Sequence, residues 1–251
     1  MERGTFIFFP TQRVGELKHF RLSLKTMQSK ISALLVHLFT AAGAILALWS
    51  LILIADGHAQ SSLIVLALAA IIDSVDGTLA RRVNVTAHTP SIDGALLDNI
   101  VDYLTWVFLP VAWAYYFLDV PFLIGSVVLI SSLFGFSHKQ AKTEDHFFRG
   151  FPSYWNFVVL YLYVLGTGPF ASSLVLLALS ALVLMPVKFV YPSRTKQWQK
   201  VSLILFIPYA LMLGTMLIYM DNTPLVVTVL SFYYPVYYVG LSVFLSKSKK
   251  E

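Results

Sequence analysis

Two stretches place acids where an otherwise apolar chain should have none. In "SSLIVLALAAIIDSVDGTLARR" an apolar run ends in Asp73, Asp76, Gly77, Ala80 and Arg81, and in "DGALLDNIVDYLTW" Gly94, Asp98 and Asp102 recur at every fourth position. Residues three or four apart on a helix share a face, so the acids form two stripes, one on each of two successive helices. A carboxylate inside a membrane helix costs roughly 2.5–3.5 kcal/mol, and four close together repel one another, so something positive must bind between them. Two divalent cations satisfy four convergent carboxylates, and hard oxygen ligands in a chain without cysteine favour magnesium or manganese over zinc. Two-metal sites serve phosphoryl and nucleotidyl chemistry, polarising phosphate oxygens and stabilising the leaving group. Gly77, Ala80 and Gly94 leave room for a ligand to approach backbone, or for helices to pack closely. Arg81, one turn past Gly77, can reach a phosphate or an Asp.

The elements that must position these residues are transmembrane helices. Of 251 residues, 57% are hydrophobic and 12% charged, and mean hydropathy is +0.73, which excludes an ordinary soluble domain. The expected fold is an all-α polytopic membrane protein with about eight transmembrane helices and an N-terminal amphipathic interfacial helix. A span needs about 20 apolar residues. The stretches are Ile31–Ala55, Ser61–Arg81, Asp93–Phe117, Pro121–Phe136, Pro152–Gly166, Ala171–Val190, Val201–Met220 and Leu225–Leu245. All 18 Lys and Arg fall on one side of this arrangement, and the short links "ADGHAQ", "LDVP", "GTGP" and "DNTP" carry none. The positive-inside rule therefore puts both termini, and the acid-bearing helix ends, in the cytoplasm. The net charge of +5 reads as orientation and attraction to anionic lipid in preference to nucleic-acid binding. Residues 1–30 form a basic segment in which Val14, Leu17, Phe20, Leu22 and Leu24 suit a helix lying in the interface, although a frayed tail fits as well. No removable signal peptide is expected, and residues 31–246 form one transmembrane catalytic domain followed by a basic tail, 247–251.

The combination D-x2-D-G-x2-A-R, a gap, then G-x3-D-x3-D resembles the signature of the CDP-alcohol phosphatidyltransferases, with every named position present. The spacer Arg82–Asp93, "RVNVTAHTPSID", has twelve residues and is longer than the family's usual one. That length is similar to the bacterial phosphatidylcholine synthase branch, as are "LVHLFTAAGA", "FFRGFPSYWN" and "YPSRTKQW", so the resemblance covers most of the chain. It implies transfer of the phosphatidyl group of CDP-diacylglycerol to choline, with release of CMP, in a bacterial inner membrane. By motif position it implies that Asp73, Asp76, Asp98 and Asp102 hold two manganese or magnesium ions, with Asp102 also the general base and Asp98 beside it in catalysis. It assigns Asp73, Gly77, Ala80, Arg81 and Gly94 to CDP binding. Homodimers are frequent in the family.

Choline is a quaternary ammonium, which aromatic faces bind by about 0.5–2 kcal/mol. Tyr103, Trp106, Tyr154, Trp155 and Tyr191 are the candidates near the cytoplasmic side, although Trp and Tyr are also common interfacial anchors. Glu144 and Asp145 could attract the cation, or be solvated loop acids. His37 and Thr40 could border the cytidine or join helices; Asp93 reads as a loop cap, His88 has no partner at ligand spacing, and the sequon at Asn84 lies in a cytoplasmic loop. Lys139, Lys142, Arg149, Arg194 and Lys196 could receive an acidic acceptor, yet orientation alone accounts for them. Serine is the nearest rival acceptor. An ion-coupled transporter is the rival of a different class, but no repeat is visible and the acids lie away from the bilayer midplane.

Overall fold

The structure is a computed structural model that describes residues 11–248 except 144, 146, 193 and 197, with side chains described from 23 to 246. Its first helix, α1, runs unbroken through Thr11–Ala55. At 1.5 Å per residue this is about 68 Å, more than twice the bilayer core, so the segment read as a separate interfacial helix continues directly into the first span. Of its expected apolar face only Leu24 has a described side chain, those of Val14, Leu17, Phe20 and Leu22 lying before residue 23; Glu144 lies outside the described residues.

The helix α2 spans Ala59–Val83 and ends where Asn84 turns left-handed at φ 55°, its N–H returning to the carbonyls of Ala80 and Arg81. The spacer then forms a one-turn helix, α3, Val85–His88. Asp93 caps α4, Gly94–Asp102, by accepting from the N–H groups of Ala95 and Leu96 at 3.1 and 3.0 Å, the capping role expected of it. A π-helical stretch, Tyr103–Phe108, leads into α5, Leu109–Phe117. The remaining helices are α6 (Phe122–Ser137), α7 (Trp155–Val164), α8 (Pro169–Leu184), α9 (Gln199–Ile218), α10 (Leu225–Ser231) and α11 (Tyr233–Ser248). Among the described residues five helical stretches are long and apolar enough to cross a membrane: Ser23–Ala55, Ala59–Val83, Gly94–Phe117, Gln199–Ile218 and Leu225–Ser246. The helices α6, α7 and α8 are apolar but shorter, and α7, with 10 residues, is only about 15 Å long.

Two features correct the all-α expectation. The sixth stretch does not remain helical to Val190, because Pro186 forces Met185 into extended backbone (ψ 142°) and α8 stops at Leu184. Beyond it, strand β2, Lys188–Val190, pairs antiparallel with β1, Phe147–Arg149, in the register Phe147 to Val190 and Arg149 to Lys188. This small sheet ties together the loops after α6 and α8. Gly150 follows it at φ 79°, where a Cβ would sit 2.1 Å from the carbonyl oxygen of Val183, so only glycine fits.

The core gathers Ile54, Leu66, Val107, Leu109, Trp113, Trp155, Val159, Leu176 and Met216, all nearly or wholly buried. Polar side chains join helices where no water could serve them: Ser50 donates to the Ser62 carbonyl, Trp155 Nε1 to Ser132, and Tyr161 pairs with Ser231. Large apolar side chains such as Leu38, Ile45, Phe122, Phe170 and Leu211 face outward, as they do where lipid is the solvent.

Candidate active site

Helix spacing carries the acids of α2 and α4 to one place. Carboxylate oxygens of Asp73, Asp98 and Asp102 lie within 4.8 Å of one another, each side chain half-buried. Asp76, predicted as the fourth member, is turned toward α1 and buried, where its Oδ2 accepts a 2.7 Å hydrogen bond from Thr40. Around the three, the described counter-charge is Lys142, whose Nζ is 3.9 Å from Asp98 Oδ2, and a neutral donor, Trp106 Nε1, 3.2 Å from Asp73 Oδ2. One long ion pair and one indole leave three clustered carboxylates under-compensated. An all-oxygen donor set with that deficit fits a hard divalent cation, so the triad could hold a metal ion.

Trp106 reaches Asp73 from the π-helical stretch, and Pro110 explains that stretch. Pro110 has no N–H and would crowd the carbonyl four residues back, that of Trp106, so the helix widens and Leu109 N–H bonds instead to Leu104 O. In that register the carbonyl Pro110 should serve is Thr105 O, and Asn156 Nδ2 from α7 donates to it at 3.0 Å.

Two cavities meet at the acids. The larger, about 780 Å³, is walled by α1, α2, the spacer and α4, and its lining includes Gly77, Ala80, Arg81 and Gly94 with His37, Thr40, Asp76 and Asp98. Four of the five residues assigned to CDP thus line one space. Both motif glycines are places of close approach: a Cβ at Gly94 would lie 3.0 Å from His37 Cε1, and one at Gly77 3.2 Å from Arg81 Nη1. The smaller cavity, about 300 Å³, holds Asp73, the fifth CDP residue, and shares Asp76, Gly77, Arg81, Ala95 and Asp98 with the larger; it opens on Lys142, Thr143, Tyr191 and Arg194.

The five aromatic candidates divide. Trp106 and Tyr154 stand beside Asp73 in one cluster, ring centroids 5.8 Å apart, and Tyr191 borders the smaller cavity, stacked 4.4 Å from Phe148. Tyr103 donates to the Leu129 carbonyl, and Trp155 is wholly buried against Ser132, so those two are tied into helix packing away from the acids. Lys142 and Arg194 reach the site while Lys188 pairs with Asp145 and Arg149 faces Gln140, so orientation alone does not account for every basic residue. Sequence reasoning missed Asn156, Phe148 and Thr89. Of these only Asn156 had a signal, the proline inside a helix that demands an outside donor.

The chain is similar to known proteins over most of its length. A model of the family described as CDP-alcohol phosphatidyltransferase matches residues 33–230. A phosphatidylcholine synthase of Pseudomonas aeruginosa is 36% identical over 217 residues, 85% of this chain and 91% of that one. Those of Legionella bozemanae and Borreliella burgdorferi are 42% and 39% identical, covering 70% and 69% of this chain and 84% and 76% of theirs.

Proposed function

The chain belongs to the CDP-alcohol phosphatidyltransferase family, and on that premise we propose that it transfers the phosphatidyl group of CDP-diacylglycerol to choline, yielding phosphatidylcholine and CMP. The observation that carries this reading is that two cavities share Asp76 and Asp98 beside the cluster of Asp73, Asp98 and Asp102, one cavity lined by the CDP motif and the other bordered by Tyr191. The relatives supply the acceptor: each is named a phosphatidylcholine synthase.

Asp73, Asp76, Asp98 and Asp102 would hold the metal, two manganese or magnesium ions, which when bound supplies charge stabilisation for the phosphate oxygens and the departing CMP. The residues do the rest. Gly77, Ala80, Arg81 and Gly94 receive the cytidine diphosphate. Thr40 holds Asp76 in place and Trp106 holds Asp73, so two carboxylates are oriented before substrate arrives. The choline hydroxyl oxygen forms a bond to the lipid-side phosphorus, the bond from that phosphorus to the CMP oxygen breaks with its electron pair leaving on CMP, and Asp102 takes the hydroxyl proton. Trp106, Tyr154 and Tyr191 offer ring faces to the trimethylammonium. We place the site at the cytoplasmic side of a bacterial inner membrane, with both termini cytoplasmic, eight passes through the membrane and a homodimer as the assembly. The clustering of Lys and Arg in one set of loops supports the orientation.

The test is CMP release by purified protein in mixed micelles with CDP-diacylglycerol and manganese, offering choline, serine, glycerol phosphate and inositol phosphate separately. Release with choline alone, abolished by EDTA, is the expected result. Release with serine would keep the family and discard the choline assignment.

A further inference from the structure

Pro110 leaves one carbonyl unserved in the helix that continues from Asp98 and Asp102. Leu109 N–H bonds to Leu104 O and Pro110 has no N–H, so the Thr105 carbonyl takes its hydrogen bond from outside the helix, from Asn156 Nδ2 at 3.0 Å. Asn156 Oδ1 is itself buried with no hydrogen-bond partner among the described residues. An apolar side chain of similar size would orphan the Thr105 oxygen, and asparagine orphans its own. One buried acceptor goes unserved in either case, so the bond gains little in satisfied polar groups. What it gains is a fixed point.

That point lies on the peptide plane that leads into Trp106, since the Thr105 carbonyl and the Trp106 nitrogen belong to one rigid amide. The far side of the tether is firm as well: Trp155, the residue before Asn156, donates to Ser132 of α6 at 2.9 Å. Phe157, the residue after it, meets the Trp106 ring edge to face, with centroids 5.5 Å apart. Successive residues of α7 therefore hold Trp106 twice, once by its backbone and once by its ring. The held ring is the one whose Nε1 lies 3.2 Å from Asp73 Oδ2.

Resting on the reading that the acid cluster holds metal and carries the transfer, we infer that Asn156 is a positioning residue for that cluster: its bond to the Thr105 carbonyl keeps the π-helical stretch in register, and with it the Trp106 donor on Asp73. Asn156 acts through Trp106, as an outer partner of a carboxylate that is to bind a cation.

The experiment is a double-mutant cycle on the full chain in detergent: the unaltered protein, Asn156→Leu, Trp106→Phe and the pair. Each is measured for manganese binding by calorimetry without substrate, and for CMP release from CDP-diacylglycerol with choline. Loss of an oriented partner to a metal ligand costs about tenfold or more. Each single variant is expected to weaken manganese binding about tenfold and to lower kcat about as much, with the KM for CDP-diacylglycerol nearly unchanged. The pair is expected to lose no more than either alone, because the two changes break one chain of contacts. Asn156→Ala takes the place of Asn156→Leu should the latter not fold. Losses that multiply in the pair, or a variant that melts earlier while manganese affinity and kcat hold, overturn the inference. Manganese binding by an unaltered protein that releases no CMP with choline would overturn the proposed function instead, and the binding cycle then decides for or against Asn156.

Discussion

The two cavities that share the acids are built differently. The larger is made from helix faces and a capped spacer, and its polar groups are fixed by short hydrogen bonds: Thr40 to Asp76, His37 to Thr89, Asp93 to the start of α4. The smaller keeps one wall from α2 and α4 and takes the other from loops joined by a six-residue sheet, where Tyr191 stacks on Phe148 and Lys142 makes one long ion pair with Asp98. The side assigned to the nucleotide is thus preorganised by directional bonds, while the loop wall on the side assigned to the acceptor is shaped by aromatic packing, which suits a trimethylammonium group with no N–H to donate.

The comparison predicts unequal sensitivities. The clustered acids should be the most sensitive of all: Asp98→Asn or Asp102→Asn is expected to reduce CMP release at least about a thousandfold while the protein still inserts and folds, measured as initial rates against monodispersity in detergent. Trp106→Phe keeps a ring but removes the donor to Asp73, so kcat should fall about tenfold with the KM for CDP-diacylglycerol nearly unchanged. On the acceptor side, Tyr191→Leu should raise the KM for choline about threefold to tenfold and leave that for CDP-diacylglycerol alone, and the reverse pattern would erase the proposed division of labour. Lys142→Ala should alter thermal stability by less than about 1 kcal/mol, since its 3.9 Å contact with Asp98 is half-exposed.

The same contrast explains what could be read from sequence. The acid stripes were legible because helix periodicity turns a spacing of three or four directly into a shared face, and three of the four acids do converge. Asp76 departs because Thr40, on another helix, offers a hydroxyl, and spacing within α2 carries no information about α1. The end of α8 was marked by Pro186, but strands of three residues lack the alternation that announces a sheet, so β1 and β2 were invisible. Of the aromatic residues, Trp106 is beside the acids because a proline four positions later widens its helix, whereas Trp155 faces the core through ordinary helix geometry. Residue type put both forward; only their backbones separate them.

The central claim is that phosphatidyl transfer to choline takes place where the two cavities meet at the acids. Its most direct test supplies deuterated choline and CDP-diacylglycerol to the purified protein and to Asp102→Asn, quantifying CMP and labelled lipid together by mass spectrometry. The account predicts equal molar yields of CMP and deuterated phosphatidylcholine from the unaltered protein and neither product from the folded variant. CMP formed without labelled lipid, or labelled lipid formed by Asp102→Asn at a rate near that of the unaltered protein, would contradict it.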